Sequence, residues 1–376
     1  MKIAINARFL SKPFTGIGQV TKNLFIKTAE LDKENQYSFI VHEKIDYDFS
    51  LPENAEIFLL KEKNFRSAGA KKTWWEQVIL PKFLIKEKFD VVIFPYPSNP
   101  WTSDFYKKVP KIIVMAHDCI PWKYKEYRKG ILSKLYHSQT KKALGKAVEV
   151  LTVSNYSKKE IEKICGIESK KINVIYNDVD LIYKNDDAGD GFVLNKFMLK
   201  KDKYFLYCGG YDERKNVDFL VNEYNLFASK HDNISLVLAG GKLFEDELYK
   251  SIDKVNSTKG RIIKTGFLQA GELKDLYKNC LCYLNASKEE GFNIPSLEAA
   301  NCEAPLIVSN IEVHREILKD GAIFADINKT GDFCIKMEKI SDKDFRNNCA
   351  SKSFEISKKY SWEKSAEQLK KLINLL

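Results

Sequence analysis

Short runs of β-branched and aromatic residues alternate along this chain with longer stretches of helical period. KIAIN is followed by a helical pattern near 18–31, then YSFIVH, AEIFLLK, a helix from about 74 to 87, DVVIF, KIIVMAH, a helix near 131–144, VEVLTVS, a helix near 157–165 and INVIY. Strand and helix in alternation predict a parallel sheet with helices on both faces, an α/β fold. The pattern breaks at residues 181–203, LIYKNDDAGDGFVLNKFMLKKDK, which mix acids, glycines and lysines with little period, as a linker does. It restarts with YFLYCGG, ISLVLAGG, RIIKTGF, CLCYLNAS, APLIVS and AIFAD. Two successive α/β domains are therefore expected, 1–183 and 203–358, joined by a linker over 184–202 and followed by a terminal segment 359–376. In that last segment Trp362, Ala366, Leu369 and Ile373 form an apolar stripe behind a Ser361 N-cap, so a helix that packs on something is expected.

Composition narrows the class. A chain of 376 residues is too long for one ordinary core, and 44% hydrophobic with 12% aromatic residues excludes disorder. No run approaches the roughly 18–20 apolar residues that span a bilayer, and MKIAINARF lacks the apolar stretch and cleavage site of a signal peptide. The eight cysteines form no CxxC pair, and Cys208, Cys280 and Cys282 sit inside apolar runs. Reduced, buried thiols in a cytoplasmic protein are the expectation. The net charge of +10 is uneven: residues 122–146 hold eight Lys and Arg against the single acid Glu126. A solvated helix face and an anionic membrane surface both fit that run, whereas no nucleic-acid-binding motif accompanies it.

Several polar groups fall where an open α/β sheet binds ligands, at the carboxyl ends of strands. Gly16 and Gly18 in TGIGQVTKN precede a helix and read either as a phosphate approach or as a plain glycine turn. A dinucleotide fingerprint fails there, because Thr21 replaces the third glycine and the approach from the first strand is too long. His117 and Asp118 follow KIIVMA, and they serve equally as a strand-end cap. YCGGYDERKN places the adjacent cations Arg214 and Lys215 after a strand, a diphosphate clamp or an ordinary helix start. Asp178-Val179-Asp180 is a DxD without a second acidic cluster, so no metal site is expected from it. In SKEEGFNIPSLEAA, Glu290 lies in the loop after a strand, while Pro295 opens a helix that carries Glu298.

In order and spacing these pieces, TGIGQVTKNL, WWEQVILPKFL, AHDCIPW, VLTVSNYSKKEI, INVIYNDVD, YCGGYDERKN, LVLAGGK, KTGFLQAGELKDLYKNC, EEGFNIPSLE, PLIVSN and YSWEKSAEQL, span nearly the whole chain. Together they resemble the family-4 retaining glycosyltransferases of GT-B fold, the glycosyl transferases group 1 type. The Arg-Lys-Asn form is most similar to transferases of bacterial O-antigen, capsule or exopolysaccharide synthesis, many of them mannosyltransferases. The resemblance implies two Rossmann-like domains with parallel sheets facing across a cleft, and a C-terminal helix packing back toward the first domain. It implies a sugar nucleotide on the second domain, with GDP-mannose the first choice and a UDP-sugar the second, and a lipid-linked or oligosaccharide acceptor on the first. By position, Arg214 and Lys215 would neutralise the diphosphate. Glu290 would meet the transferred sugar beside the amides of Gly291, Phe292, Asn293 and Ile294, and Glu298 the ribose. Gly266 and Phe267 would lie near the base, Gly16 and Gly18 near the diphosphate, and His117 with Asp118 at the reacting sugar. No metal or other cofactor is implied, and retention would come from front-face displacement without a protein nucleophile. Three positions depart from the family pattern: Gly210 where an arginine is common nearby, Asp178 for a glycine, and Gln19 for an arginine. A nucleotide-binding regulator without activity and a GT-B epimerase are the alternatives.

Overall fold

The computed structural model describes residues 1–376 apart from 48, 64–66, 110, 186–190, 232 and 242–260. Its contacts divide the chain into two units, Met1–Asn177 with Ser361–Leu376, and Asp178–Tyr360. The first unit carries a sheet of β1 (Lys2–Asn6), β2 (Gln36–Val41), β3 (Ala55–Leu59), β4 (Val91–Phe94), β5 (Lys111–Met115), β6 (Glu149–Thr152) and β7 (Ile172–Val174). Every pairing is parallel, in the order β3-β2-β1-β4-β5-β6-β7. The second unit holds β8 (Tyr204–Cys208), β9 (Ser235–Ala239), β10 (Ile262–Gly266), β11 (Cys282–Asn285), β12 (Leu306–Ser309) and β13 (Ile323–Ala325), again all parallel, in the order β10-β9-β8-β11-β12-β13. The α/β class read from the alternation is thus present twice. In each unit the chain runs outward from the first strand, then returns and runs the other way, so a crevice opens between β1 and β4 and another between β8 and β11.

The central strands are buried on both faces, as in Ile3 to Ile5 and Tyr204 to Tyr207, which is why they read as continuous apolar runs. Two expectations shift at their edges. The helix placed over 74–87 begins at Ala68, where the Ser67 hydroxyl accepts from Ala70 N at 3.4 Å, and it passes through a π-helical segment Trp75–Ile79. AGAKKT has no apolar spacing to reveal that first part. The linker expected over 184–202 includes a helical turn Phe192–Lys196, and residues 186–190 lie outside the described ones. Tyr183 belongs with the second unit because its ring packs on Tyr277 and its carbonyl receives the Cys302 thiol.

The C-terminal stripe behaves as its spacing demands. Trp362–Asn374 is a helix capped by Ser361, with Ala366, Leu369 and Ile373 fully buried. Each of the two larger side chains contributes about 1.5–3 kcal/mol by leaving water. Ser365 Oγ donates to Tyr176 O (2.7 Å) and Lys370 Nζ to Leu31 O (3.0 Å), so this helix completes the first unit rather than the second.

Candidate active site

The crevice between β8 and β11 gathers the second unit's cations and one of the two glutamates. After β8 the chain passes Gly209 and Gly210 into a 3-10 turn, Glu213–Lys215, which ends at Asn216 in the left-handed region (φ 56°), a conformation asparagine tolerates. That turn sends Arg214 and Lys215 back toward the end of β11. Lys215 Nζ donates to Glu290 Oε1 (2.6 Å) and Arg214 Nη1 to Glu290 Oε2 (2.9 Å), while Arg214 also donates to Glu289 O (3.0 Å) and pairs with Asp212 (3.0 Å). Ser287 Oγ adds a third hydrogen bond to the carboxylate (2.7 Å). Burial pushes Glu290 upward, but the charges of Lys215 and Arg214 and the hydrogen bonds of Lys215 and Ser287 outweigh it and hold the carboxyl at about 2. A carboxylate this acidic stays ionised and is too weak a base to take a proton near neutral pH. It accepts hydrogen bonds and fixes cations.

Glu298 does not join it. It lies inside the helix Ile294–Asn301, buried, where Tyr277 Oη donates to its Oε2 (3.1 Å). Its charge reaches the end of β8, since the Cys208 thiol is pushed up to about 12 by burial and then by Glu298. Tyr277, which donates to Glu298, is not among the groups that hold Glu290. Between the two glutamates Gly291, Phe292 and Asn293 are buried, and Asn293 (φ 75°) turns the chain into the helix whose first amides carry no side-chain cap.

Close backbone approach shapes the rest of this sheet edge. A side chain on Gly240 would meet the Gly209 carbonyl at 2.6 Å, and one on Gly241 would overlap the Tyr211 ring at 1.8 Å. Gly240 N donates to Gly266 O (2.9 Å), which sets Gly266, in the left-handed region, and the exposed Phe267 at the end of β10. The ends of β8, β9 and β10 thus bring Gly209, Gly240 and Gly266 close together, with the Tyr211 ring over Gly241.

In the first unit, His117 follows β5 and its Nε2 lies 2.8 Å from Pro95 O. A carbonyl only accepts, so Nε2 carries the proton and Nδ1 keeps the lone pair. Burial, partly opposed by that hydrogen bond, pulls the imidazole down to about 4, so it is neutral. Asp118 Oδ1 accepts from Ile120 N (2.9 Å). Gly18 is buried and a side chain there would sit 1.9 Å from Lys12 O, so local packing accounts for this glycine; Gly16 is exposed with open space around it. Asp178 is buried and paired with Lys184. Lys184 follows the short helical turn Leu181–Tyr183, within reach of this carboxylate.

The crevice between β1 and β4 holds a group not singled out in the sequence. Glu76, fully buried in the π-helical segment, accepts from Tyr96 Oη (2.7 Å) and Tyr136 Oη (3.1 Å), with Lys72 Nζ at 3.7 Å. Asn6 Nδ2 donates to Ser98 Oγ (2.9 Å) and Tyr96 Oη (3.3 Å). Burial raises the Glu76 carboxyl and Lys72 opposes the rise. In WWEQVILP this glutamate reads as one polar position of an amphipathic helix, and only the strand order brings it to the crevice.

Comparisons with known proteins agree with the fold. Residues 195–355 match the family described as Glycosyl transferases group 1, and residues 47–182 match Glycosyltransferase Family 4. O-antigen chain mannosyltransferase B of Escherichia coli is 24% identical over 264 residues, 69% of this chain and 69% of that protein. O-antigen chain mannosyltransferase RfbU of Salmonella typhimurium is 29% identical over 214 residues, 57% of this chain but only 56% of the relative's own length. Among solved structures, Anabaena HepE in complex with UDP and glucose superposes with a TM-score of 0.74 at 15% identity, covering 100% of both chains. At that identity the likeness concerns the fold.

Proposed function

This chain belongs to the glycosyl transferases group 1, with a Family 4 first unit and the GT-B fold, and from that premise we propose that it is a retaining hexosyltransferase of surface polysaccharide synthesis. It takes a hexose from a sugar nucleotide and passes it to a lipid-linked or oligosaccharide acceptor. The observation that carries this reading is the ion cluster of Lys215, Arg214 and Glu290 at the β8/β11 crevice. Two cations beside the close-packed glycines at the strand ends suit a diphosphate that gains negative charge as its bond to the sugar breaks. Lys215 and Arg214 supply that positive charge from the protein, so the reaction is proposed to need no resident metal. Glu290, always ionised, accepts from the hydroxyls of the transferred sugar, and Glu298 from the ribose. His117 offers Nδ1 as an acceptor at the reacting sugar, with Asp118 beside it.

The names of the relatives make GDP-mannose the first donor to test; HepE's complex with UDP and glucose makes UDP-hexoses the second. A thermal-shift screen over a panel of sugar nucleotides decides between them. The correct donor at about 100 times its Kd stabilises the fold by about 2.7 kcal/mol. Slow release of free nucleotide from that donor separates a transferase from a non-catalytic binder. If none of the panel raises the melting temperature, the reading fails.

The basic segment 122–146 supports a peripheral contact with anionic membrane at its inner face. Its helix Ile131–Leu144 buries Thr140, Ala143 and Leu144 inward, yet Ile131 and Leu132 are each 84% exposed beside Lys134. Exposed apolar side chains in a lysine-rich segment fit an interface of acyl chains and anionic headgroups. Vesicles of phosphatidylglycerol and phosphatidylethanolamine should retain the protein at low salt, and vesicles of phosphatidylcholine should not. Replacing Lys134 should weaken retention by about 1 kcal/mol. Equal retention on both vesicle types would remove the membrane from the proposal.

A further inference from the structure

We infer that His314 is a positioning residue for sugar transfer, holding both ends of the loop that presents Glu290. It lies on the helix Glu312–Leu318, which follows β12, and is completely buried. One arm runs through Ser309: His314 Nδ1 is 2.9 Å from Ser309 O and 3.1 Å from its Oγ, and that hydroxyl donates to Ser287 O at 2.5 Å. Ser287 in turn donates from its own hydroxyl to Glu290. The other arm is direct, with Asn293 Nδ2 2.8 Å from His314 Nε2. Ser287 and Asn293 bracket Glu290, Gly291 and Phe292, so one imidazole ties down both ends of the segment that meets the donor.

The chemistry of the ring fits this use. Ser309 O only accepts, so Nδ1 carries the proton, Nε2 accepts, and the Asn293 amide must turn its NH2 toward it. Burial pulls the imidazole down to about 4, with Lys215 lowering it further while Glu290 and the Ser309 carbonyl raise it, so the ring is neutral and keeps its acceptor. The Asn293 amide is fixed only through its nitrogen, to His314 and to Ser296 Oγ (2.6 Å), since its Oδ1 has no hydrogen-bond partner. Without His314 nothing but Ser296 decides which way that amide faces, in a residue already held in the left-handed region. Glu298 is held through Tyr277 instead, outside both arms.

This inference rests on the transferase reading, and its test separates the two. In His314→Leu, kcat should fall about 100-fold, the effect of misplacing a group by about 1 Å, while the Kd for nucleoside diphosphate stays within about threefold. His314→Gln, which can still accept from Asn293, should recover part of kcat; His314→Asn, which reaches only Ser309, should not. Unchanged kcat in His314→Leu, or kcat and nucleotide affinity falling together, would overturn the inference and leave a packing role. Hydrogen exchange of the Gly291 to Ile294 amides gives a readout that needs no turnover. Exchange should quicken about tenfold or more in His314→Leu, and unchanged exchange overturns the clamp even if the wild-type protein transfers no sugar, the result that would sink the transferase reading instead.

Discussion

Glu290→Ala is expected to slow sugar transfer by about 10²–10³-fold while leaving the affinity for nucleoside diphosphate unchanged or tighter. The direction of the second effect comes from the ion cluster. Both oxygens of Glu290 are already occupied, one by Lys215 and Ser287 and the other by Arg214. Removing the carboxylate releases Lys215 for the diphosphate, while Arg214 keeps Asp212 and the Glu289 carbonyl, yet it takes away the acceptor for the sugar and the group that aims those cations. The same change leaves Lys215, 9% exposed, without its carboxylate, which costs about 3–5 kcal/mol when one partner of a buried pair is deleted. Glu290→Gln, which keeps an acceptor, separates lost alignment from lost stability. Glu298→Ala should do the opposite, weakening nucleotide binding with kcat little changed. Equal effects of both alanines on affinity, with turnover untouched, would undo this division.

The pH dependence follows from the same contacts. The carboxyl of Glu290 is held at about 2, below its ordinary 4.5, so its contribution to stability is fully present above about pH 4.5 and is lost as pH falls toward 2. Between about pH 5 and 9 Glu290 does not titrate, and any inflection of kcat in that range has to come from another group.

How much of this is legible in the sequence depends on how far apart the cooperating residues lie. The strands were legible because parallel strands buried on both faces are short and apolar, and because helices of ordinary length separate them. The C-terminal helix showed itself through Trp362, Ala366, Leu369 and Ile373, whereas its partner, the first unit, followed only from the family resemblance and not from the stripe. Glu290, Arg214 and Lys215 were each visible as strand-end groups. The resemblance put them on one donor, but their direct ion contacts were not legible, since nothing in the spacing of residues 214 and 290 says that β8 pairs with β11. For the same reason Glu76, Tyr96 and Asn6 stayed hidden: the crevice they share exists only once β1 is known to lie beside β4. His314 had no signal at all, because in EVHREIL it is one polar residue of a short helix, and its meaning lies in Ser309 and Asn293. Gly18 shows the converse, a glycine that looks like a phosphate approach but whose missing side chain is already required by the Lys12 carbonyl.

Lys215→Met is expected to lower kcat/KM by about 10³-fold, the largest effect of any single change in the site, and unlike Glu290→Ala it should weaken diphosphate binding as well. The ammonium is almost fully buried against Glu290, so its removal does two things at once. It withdraws a cation from the departing diphosphate, and it leaves a buried carboxylate, served by Arg214 and Ser287 alone, whose charge opposes the approach of that same diphosphate. Arg214 cannot compensate, being shared between Glu290, Asp212 and the Glu289 carbonyl. A planar guanidinium is no substitute for a compact ammonium in so enclosed a position, so Lys215→Arg should not restore transfer. The double variant Lys215→Met/Glu290→Gln isolates the charge. With both ions gone, stability should recover relative to Lys215→Met, because Arg214 then balances Asp212 alone instead of two carboxylates, while transfer stays lost. Transfer and nucleotide affinity within about threefold of wild type in Lys215→Met would mean that the pair with Glu290 only braces the fold, and that the positive charge felt by the donor comes from Arg214.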